Sequence, residues 1–207
     1  LHQLLDQLGV DVPIREDPYG VPITTPFPND TEHAAYDPDS VLRYWQVVDW
    51  VDTVLEEFSG WYCGKQSPVH LFWHSLDLAV TRFSGRRAPP RAGADPVTRE
   101  AYSHEVISFG FWSGDDNTHG PAFYSYTAPE PSGLTDQPLQ PASAVWRRAP
   151  NGSMALLGYD QLRDAEDPRI TLLAFLQSAY DAGAHTAGWD HEELTSPFCP
   201  SGVELHA

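Results

Sequence analysis

The sequence predicts an α+β domain, in which an antiparallel sheet of four to five strands carries helices from both ends of the chain on one face. Three observations predict it. Two stretches of helical apolar periodicity begin at Pro38 and Pro168, far apart in the chain. Between them lie short runs rich in Val, Phe, Trp, Tyr and Thr, the residues that fit a pleated, half-buried surface. The connections among those runs are too short or too irregular in Pro and Gly to hold crossover helices, so neighbouring strands run antiparallel.

Leu1, Leu4, Leu5 and Leu8 recur at helical spacing before Gly9, which reads as the last turns of a helix with a Gly stop. Met154 is the only methionine, and the chain is expected to be the later part of a longer product. From Val10 to Asp37 the prolines Pro13, Pro18, Pro22, Pro26 and Pro28 break every pattern and predict an extended loop. Asp37-Pro38 then reads as an N-cap with Pro at the first helical position. Val41, Tyr44, Trp45, Val48, Val51, Leu55 and Phe58 form one apolar stripe behind it, ending near Gly60.

Pro68 to Phe83 is too long for a single strand of about five or six residues, so a bend is expected near Ser75. Arg86 to Arg99 reads as loop, with a helical turn starting at Asp95-Pro96. His104 to Trp112 is a strand whose positions Glu105, Ile107, Phe109 and Phe111 share one face, with His104, Ser108 and Gly110 opposite. Gly114 to Gly120 closes a loop before a strand from Ala122 to Thr127. After a Pro-rich connection, Val145–Ala149 and Met154–Leu157 flank Pro150-Asn151-Gly152, the signal of a hairpin. Asp167-Pro168 repeats the helix-start signature, and Ile170, Leu173, Phe175, Leu176, Ala179 and Tyr180 mark a closing helix that frays over Gly183 to Gly188. One domain is expected over residues 1–194, followed by a flexible tail, 195–207.

Charge sets the expected partners. With 29 acidic and 12 basic side chains the formal charge is −17, a field that repels phosphate backbones and anionic bilayers, so neither nucleic acid nor membrane is expected as a partner. No apolar run approaches the roughly 18 residues that a spanning helix needs, and the cytoplasm is the expected location. Lys65 is the only lysine among the 12 basic residues; that bias toward Arg, with 19 Pro and abundant Ala, points to a GC-rich bacterial genome. Cys63 and Cys199 stand in neither metal-type nor redox-type spacing and read as free thiols.

The segments Gly64-Lys65-Gln66-Ser67-Pro68-Val69-His70-Leu71-Phe72-Trp73, Asp77-Leu78-Ala79-Val80-Thr81-Arg82-Phe83-Ser84-Gly85-Arg86, Ser103-His104-Glu105-Val106-Ile107-Ser108 and Phe175-Leu176-Gln177-Ser178 resemble those of a bacterial family known only as a domain of unknown function. The resemblance runs from Leu1 to about Leu194 and implies the later part of a two-part protein. It supplies no activity and no cofactor. His74 stands where many members have Gly.

The candidate chemistry therefore rests on the residues. His70 and His104, on strands adjacent in sequence, are the candidate acid–base pair, with Glu105 and Asp77 as further catalytic candidates. Glu105 lies on an apolar face, where a carboxylate either pairs with Arg or has a raised pKa. Asp77 and Arg82 stand in an apolar stretch where either charge needs a partner, and an ion pair between them is expected. Arg82, Arg86, Arg87 and Arg91, with Lys65, form a basic patch suited to clamping a carboxylate or phosphate. Trp73, Trp112 and Tyr124 would wall an aromatic pocket for a small anionic ligand. A metal site is not expected, because His70 and His74 on one strand would lie about 13 Å apart. Asp115-Asp116-Asn117-Thr118-His119-Gly120 lacks the terminal Glu of a calcium loop. Beside the small-molecule site stands the alternative of a non-catalytic interaction domain, in which the same polar residues form a buried network.

Overall fold

The computed structural model describes residues 2–19, 21, 23–33, 35–73, 75–114, 120–149 and 152–196, and the chain divides into two compact units, Leu1–Leu42 and Arg43–Ala207. His74, residues 115–119 of the acidic loop, Pro150 and Asn151 of the hairpin tip, and the tail with Cys199 lie outside the described residues.

In the first unit, helix α1 (His2–Gln7) ends before Gly9, whose φ of 68° is the left-handed geometry of a helix stop. The Pro-rich segment that follows includes a 3-10 turn, Phe27–Asn29. Helix α2 (Pro38–Ser59) begins in the first unit and belongs from Arg43 onward to the second; it starts as the sequence predicts, with Asp37 Oδ1 accepting the Asp39 N–H at 3.0 Å and Oδ2 accepting the Ser40 hydroxyl at 2.7 Å. Val48, Val51, Val54, Leu55 and Phe58 are buried, whereas Val41 and Trp45 from the predicted stripe remain exposed.

The second unit is built on one sheet. Its strands are β1 (His70–Phe72), β2 (Asp77–Arg87), β3 (His104–Trp112), β4 (Ala122–Ala128), β5 (Val145–Ala149) and β6 (Gly152–Gly158). They pair antiparallel throughout in the order β1-β2-β3-β4-β6-β5. Six strands replace the four to five expected, because the bend between Phe72 and Asp77 splits one run into two paired strands. Helix α3 (Pro96–Ala101) is capped by Asp95, whose Oδ1 accepts the N–H groups of Val97 at 2.9 Å and Thr98 at 3.1 Å. Helix α5 (Pro168–Thr186) is flanked by the short helices α4 (Tyr159–Arg163) and α6 (His191–Leu194).

Alternation along the strands sorts the side chains onto two faces. Leu78, Phe111, Phe123 and Leu157 form one row across the sheet, and Val80, Phe109, Ser125 and Ala155 form the next. The apolar members of these rows join Val51, Leu55 and Phe58 of α2 and Leu172, Phe175, Leu176 and Ala179 of α5 in one core, so both long helices pack on the same face. Gly183 does not fray α5, contrary to expectation. A Cβ there would lie 2.9 Å from Ile107 Cδ1, so the missing side chain lets the helix seat closely on β3. No helix among the described residues is long and apolar enough to cross a membrane.

Candidate functional site

Arg82 and Asp77 do not pair. Five residues apart on one strand, they point to opposite faces. Arg82 enters the core at 1% exposure, where its guanidinium lies 3.6 Å from the Phe58 ring centroid, 4.6 Å from Tyr180 and 4.9 Å from Tyr62. Its Nη2 donates to the Phe58 carbonyl at 2.6 Å. An aromatic box and a main-chain acceptor stabilise this buried charge, and a ligand cannot reach it.

Asp77 sits on the other face, where Oδ2 accepts the Tyr124 hydroxyl at 2.5 Å and Oδ1 accepts the Ser75 hydroxyl. Burial, and then the Asp77 charge, push the Tyr124 phenol above its ordinary value, so Tyr124 stays a donor. Gly110 is required beneath it: a Cβ there would come within 2.6 Å of the Tyr124 ring. Further along this face Thr81 and Ser108 share a hydrogen bond of 2.9 Å, Ser108 stands opposite Tyr126 in the register, and Tyr126 and Tyr102 share a hydrogen bond of 3.1 Å.

The structure separates His70 from His104. His70 lies level with Ala79 and Gly110, six residues along β3 from His104, which by strand rise is roughly 20 Å. His70 Nδ1 lies 2.9 Å from the Pro68 carbonyl, and His104 Nδ1 lies 3.1 Å from the Ser103 hydroxyl. Trp73 is 91% exposed, and Lys65 Nζ rests 5.9 Å from the Phe83 ring. Trp112 stands opposite Ala122 at the far end of β3. The aromatic pocket expected around the two histidines is therefore not assembled.

Glu105 meets its expected arginine. Its Oε2 accepts Arg86 Nη2 at 2.7 Å, Arg86 Nε at 2.9 Å, the Ser84 hydroxyl at 2.9 Å and the Trp189 indole at 3.0 Å. Arg86 also donates to the carbonyls of Ala187 at 2.7 Å and Gly188 at 3.1 Å, closing the C-terminus of α5. With its donors thus engaged, Arg86 is a lock between β2, β3 and α5 and leaves the basic patch.

One member of that patch does face a cleft. A hollow of about 500 Å³ is lined by Arg91, Thr98, Tyr102, Tyr126, Glu130 and Ser153 among others. The Arg91 guanidinium stacks 3.8 Å from the Tyr102 ring centroid and makes no ion pair or hydrogen bond with another described residue. Across the hollow, Glu130 accepts the Ser153 N–H at 2.6 Å and its hydroxyl at 2.9 Å, which ties the loop after β4 to β6. None of His70, His104, Asp77, Glu105, Lys65, Trp73, Arg82, Arg86, Trp112 or Tyr124 lines it. Sequence reading passed over Tyr102, Tyr126, Glu130 and Ser153; the one available signal was that Tyr126 shares the face of Tyr124 two residues on. Among the described residues no group of three His, Cys, Asp or Glu could hold a metal ion, and Cys63 is a free, exposed thiol.

Fold and site together define a six-stranded antiparallel α+β protein with an arginine-bearing cleft beside its central strands. The chain belongs to the Family of unknown function (DUF5996), which it matches over residues 1–196. No curated protein and no solved structure matches it.

Proposed function

We propose that this is a bacterial, cytoplasmic protein whose cleft binds a small anionic molecule, with Arg91 recognising the charge. The observation that carries the reading is the state of Arg91: stacked on Tyr102, yet engaged by no carboxylate among the described residues. A guanidinium already held by stacking loses little freedom when it meets a carboxylate or phosphate, and its fork makes two parallel hydrogen bonds to either. The hydroxyls of Tyr102 and Tyr126 add neutral partners at the same cleft. Because the chain carries −17, attraction must act at short range, inside the roughly 8 Å over which physiological salt leaves charges unscreened.

The test is an NMR titration with acetate, benzoate and inorganic phosphate. Amide shifts at Tyr102, Tyr126 and Ser153 are expected, lost in Arg91→Ala and kept in His70→Ala and His104→Ala. Silence toward all three anions, or unchanged affinity in Arg91→Ala, overturns the reading. The second reading, a non-catalytic interaction domain with a buried polar network, is favoured by Glu105, where four donors converge on one oxygen. It predicts no anion binding, with Glu105→Gln acting on stability alone.

A further inference from the structure

Resting on the anion-binding reading, we infer that the ligand is zwitterionic, an amino acid whose carboxylate meets Arg91 and whose ammonium meets Glu130 within the one cleft. One molecule reaches both groups because the sheet parts there. β4 and β6 pair from Ala122 opposite Gly158 to Ser125 opposite Ala155 and no further, whereas β4 stays paired with β3 as far as Ala128. Tyr126, Thr127 and Ala128 on one side and Gly152, Ser153 and Met154 on the other therefore border a gap, and all six line the cleft that holds Arg91. The Ser153 N–H turns into this gap and donates to Glu130 Oε2 at 2.6 Å, which sets the carboxylate at the parting of the strands. The hollow of about 500 Å³ lies within the roughly 300–1,000 Å³ typical of small-molecule sites, so both ends of a short ligand fit in it.

The two charges at the cleft match such a ligand and do not neutralise each other. Among the described residues Arg91 and Glu130 form no ion pair, with each other or with any other group, and Glu130 is held by the neutral N–H and hydroxyl of Ser153. Two donors fill only part of the about four lone-pair sites of a carboxylate, and an ammonium brings three N–H groups to the remainder. Arg148 shares a separate hollow with Glu130 and does not line this cleft. The whole chain adds a reason: a monoanion approaches its charge of −17 against the field, and a molecule of zero net charge does not.

The experiment titrates the full chain with glycine, 4-aminobutyrate and 6-aminohexanoate beside acetate, butyrate and hexanoate, followed by NMR. At the length that spans Arg91 to Glu130 the amino acid binds about fivefold tighter than the plain acid, the strength of one well-placed exposed ion pair, and N-acetylation abolishes the gain. Glu130→Gln removes the preference, and Arg91→Ala removes the binding of both series. In the unaltered protein, NOEs run from the methylene beside the nitrogen to Glu130 and from the one beside the carboxylate to the Tyr102 ring, which decides the matter even if Glu130→Gln fails to fold. Plain acids that bind as tightly at every length with Arg91 still required, a preference that survives Glu130→Gln, or NOEs in the reverse sense each overturn the zwitterion inference alone. Silence toward all six probes, or binding that ignores Arg91→Ala, overturns this inference and the anion reading beneath it.

Discussion

Arg82 and Arg91 are nine residues apart and both lay a guanidinium against aromatic rings, yet they serve opposite ends. Around Arg82 the rings of Phe58, Tyr62 and Tyr180 close from several sides and a carbonyl takes a donor. Against Arg91 a single ring, Tyr102, fixes the plane and leaves the fork open to the cleft. Cation and ring chemistry is shared, so enclosure decides between holding the fold and meeting a ligand.

The sharpest way to break that contrast is Arg82→Ala. It should cost about 3–5 kcal/mol in urea unfolding, through a cavity and an unused carbonyl in the core. Arg82→Lys should recover little, because an ammonium is compact and strongly hydrated and cannot stack. A stable Arg82→Ala protein with lost anion binding would reverse the roles of the two arginines. Glu105→Ala comes next, at about 2–3 kcal/mol by the same measurement, since it strands donors from Arg86, Ser84 and Trp189.

Tyr124→Phe should cost about 1–1.5 kcal/mol and also change the response to alkali. The phenols of Tyr124 and Tyr126 are raised above 10.0, mainly by burial, so the unfolded chain releases protons that the folded chain keeps. Their contribution is full below about pH 10 and is lost as pH rises above it. Unfolding followed as a function of pH should show that alkaline loss, and Tyr124→Phe should flatten it. Arg91→Ala is the smallest effect on the fold, within about 0.5 kcal/mol in the same assay, beside its loss of anion binding. A large destabilisation there would make Arg91 a second structural arginine and dissolve the comparison.

Strand β3 was legible to the residue because His104 to Trp112 is a run rich in Val, Ile, Phe and Trp without a proline. Asp95-Pro96 and Asp167-Pro168 were legible because a carboxylate beside Pro carries its own capping geometry, and both carboxylates do cap. Alternation also held the answer for Asp77 and Arg82, whose odd separation on one strand forbids the pairing we expected. The cleft was not legible. Its residues come from a loop, from α3 and its flank, from β4, from the loop after β4 and from β6. They converge only because β6, rather than β5, pairs with β4, and no local pattern in the chain encodes that choice.

The box around Arg82 has a consequence for how the chain comes apart. Its walls come from helix α2, from Tyr62 just beyond it, from strand β3 and from helix α5. If either long helix peeled away first, a half-wet cation would face the hydrocarbon side of the other, so a partly open intermediate is penalised. The two helices should therefore melt in one step, with helical signal and core packing lost at the same denaturant concentration.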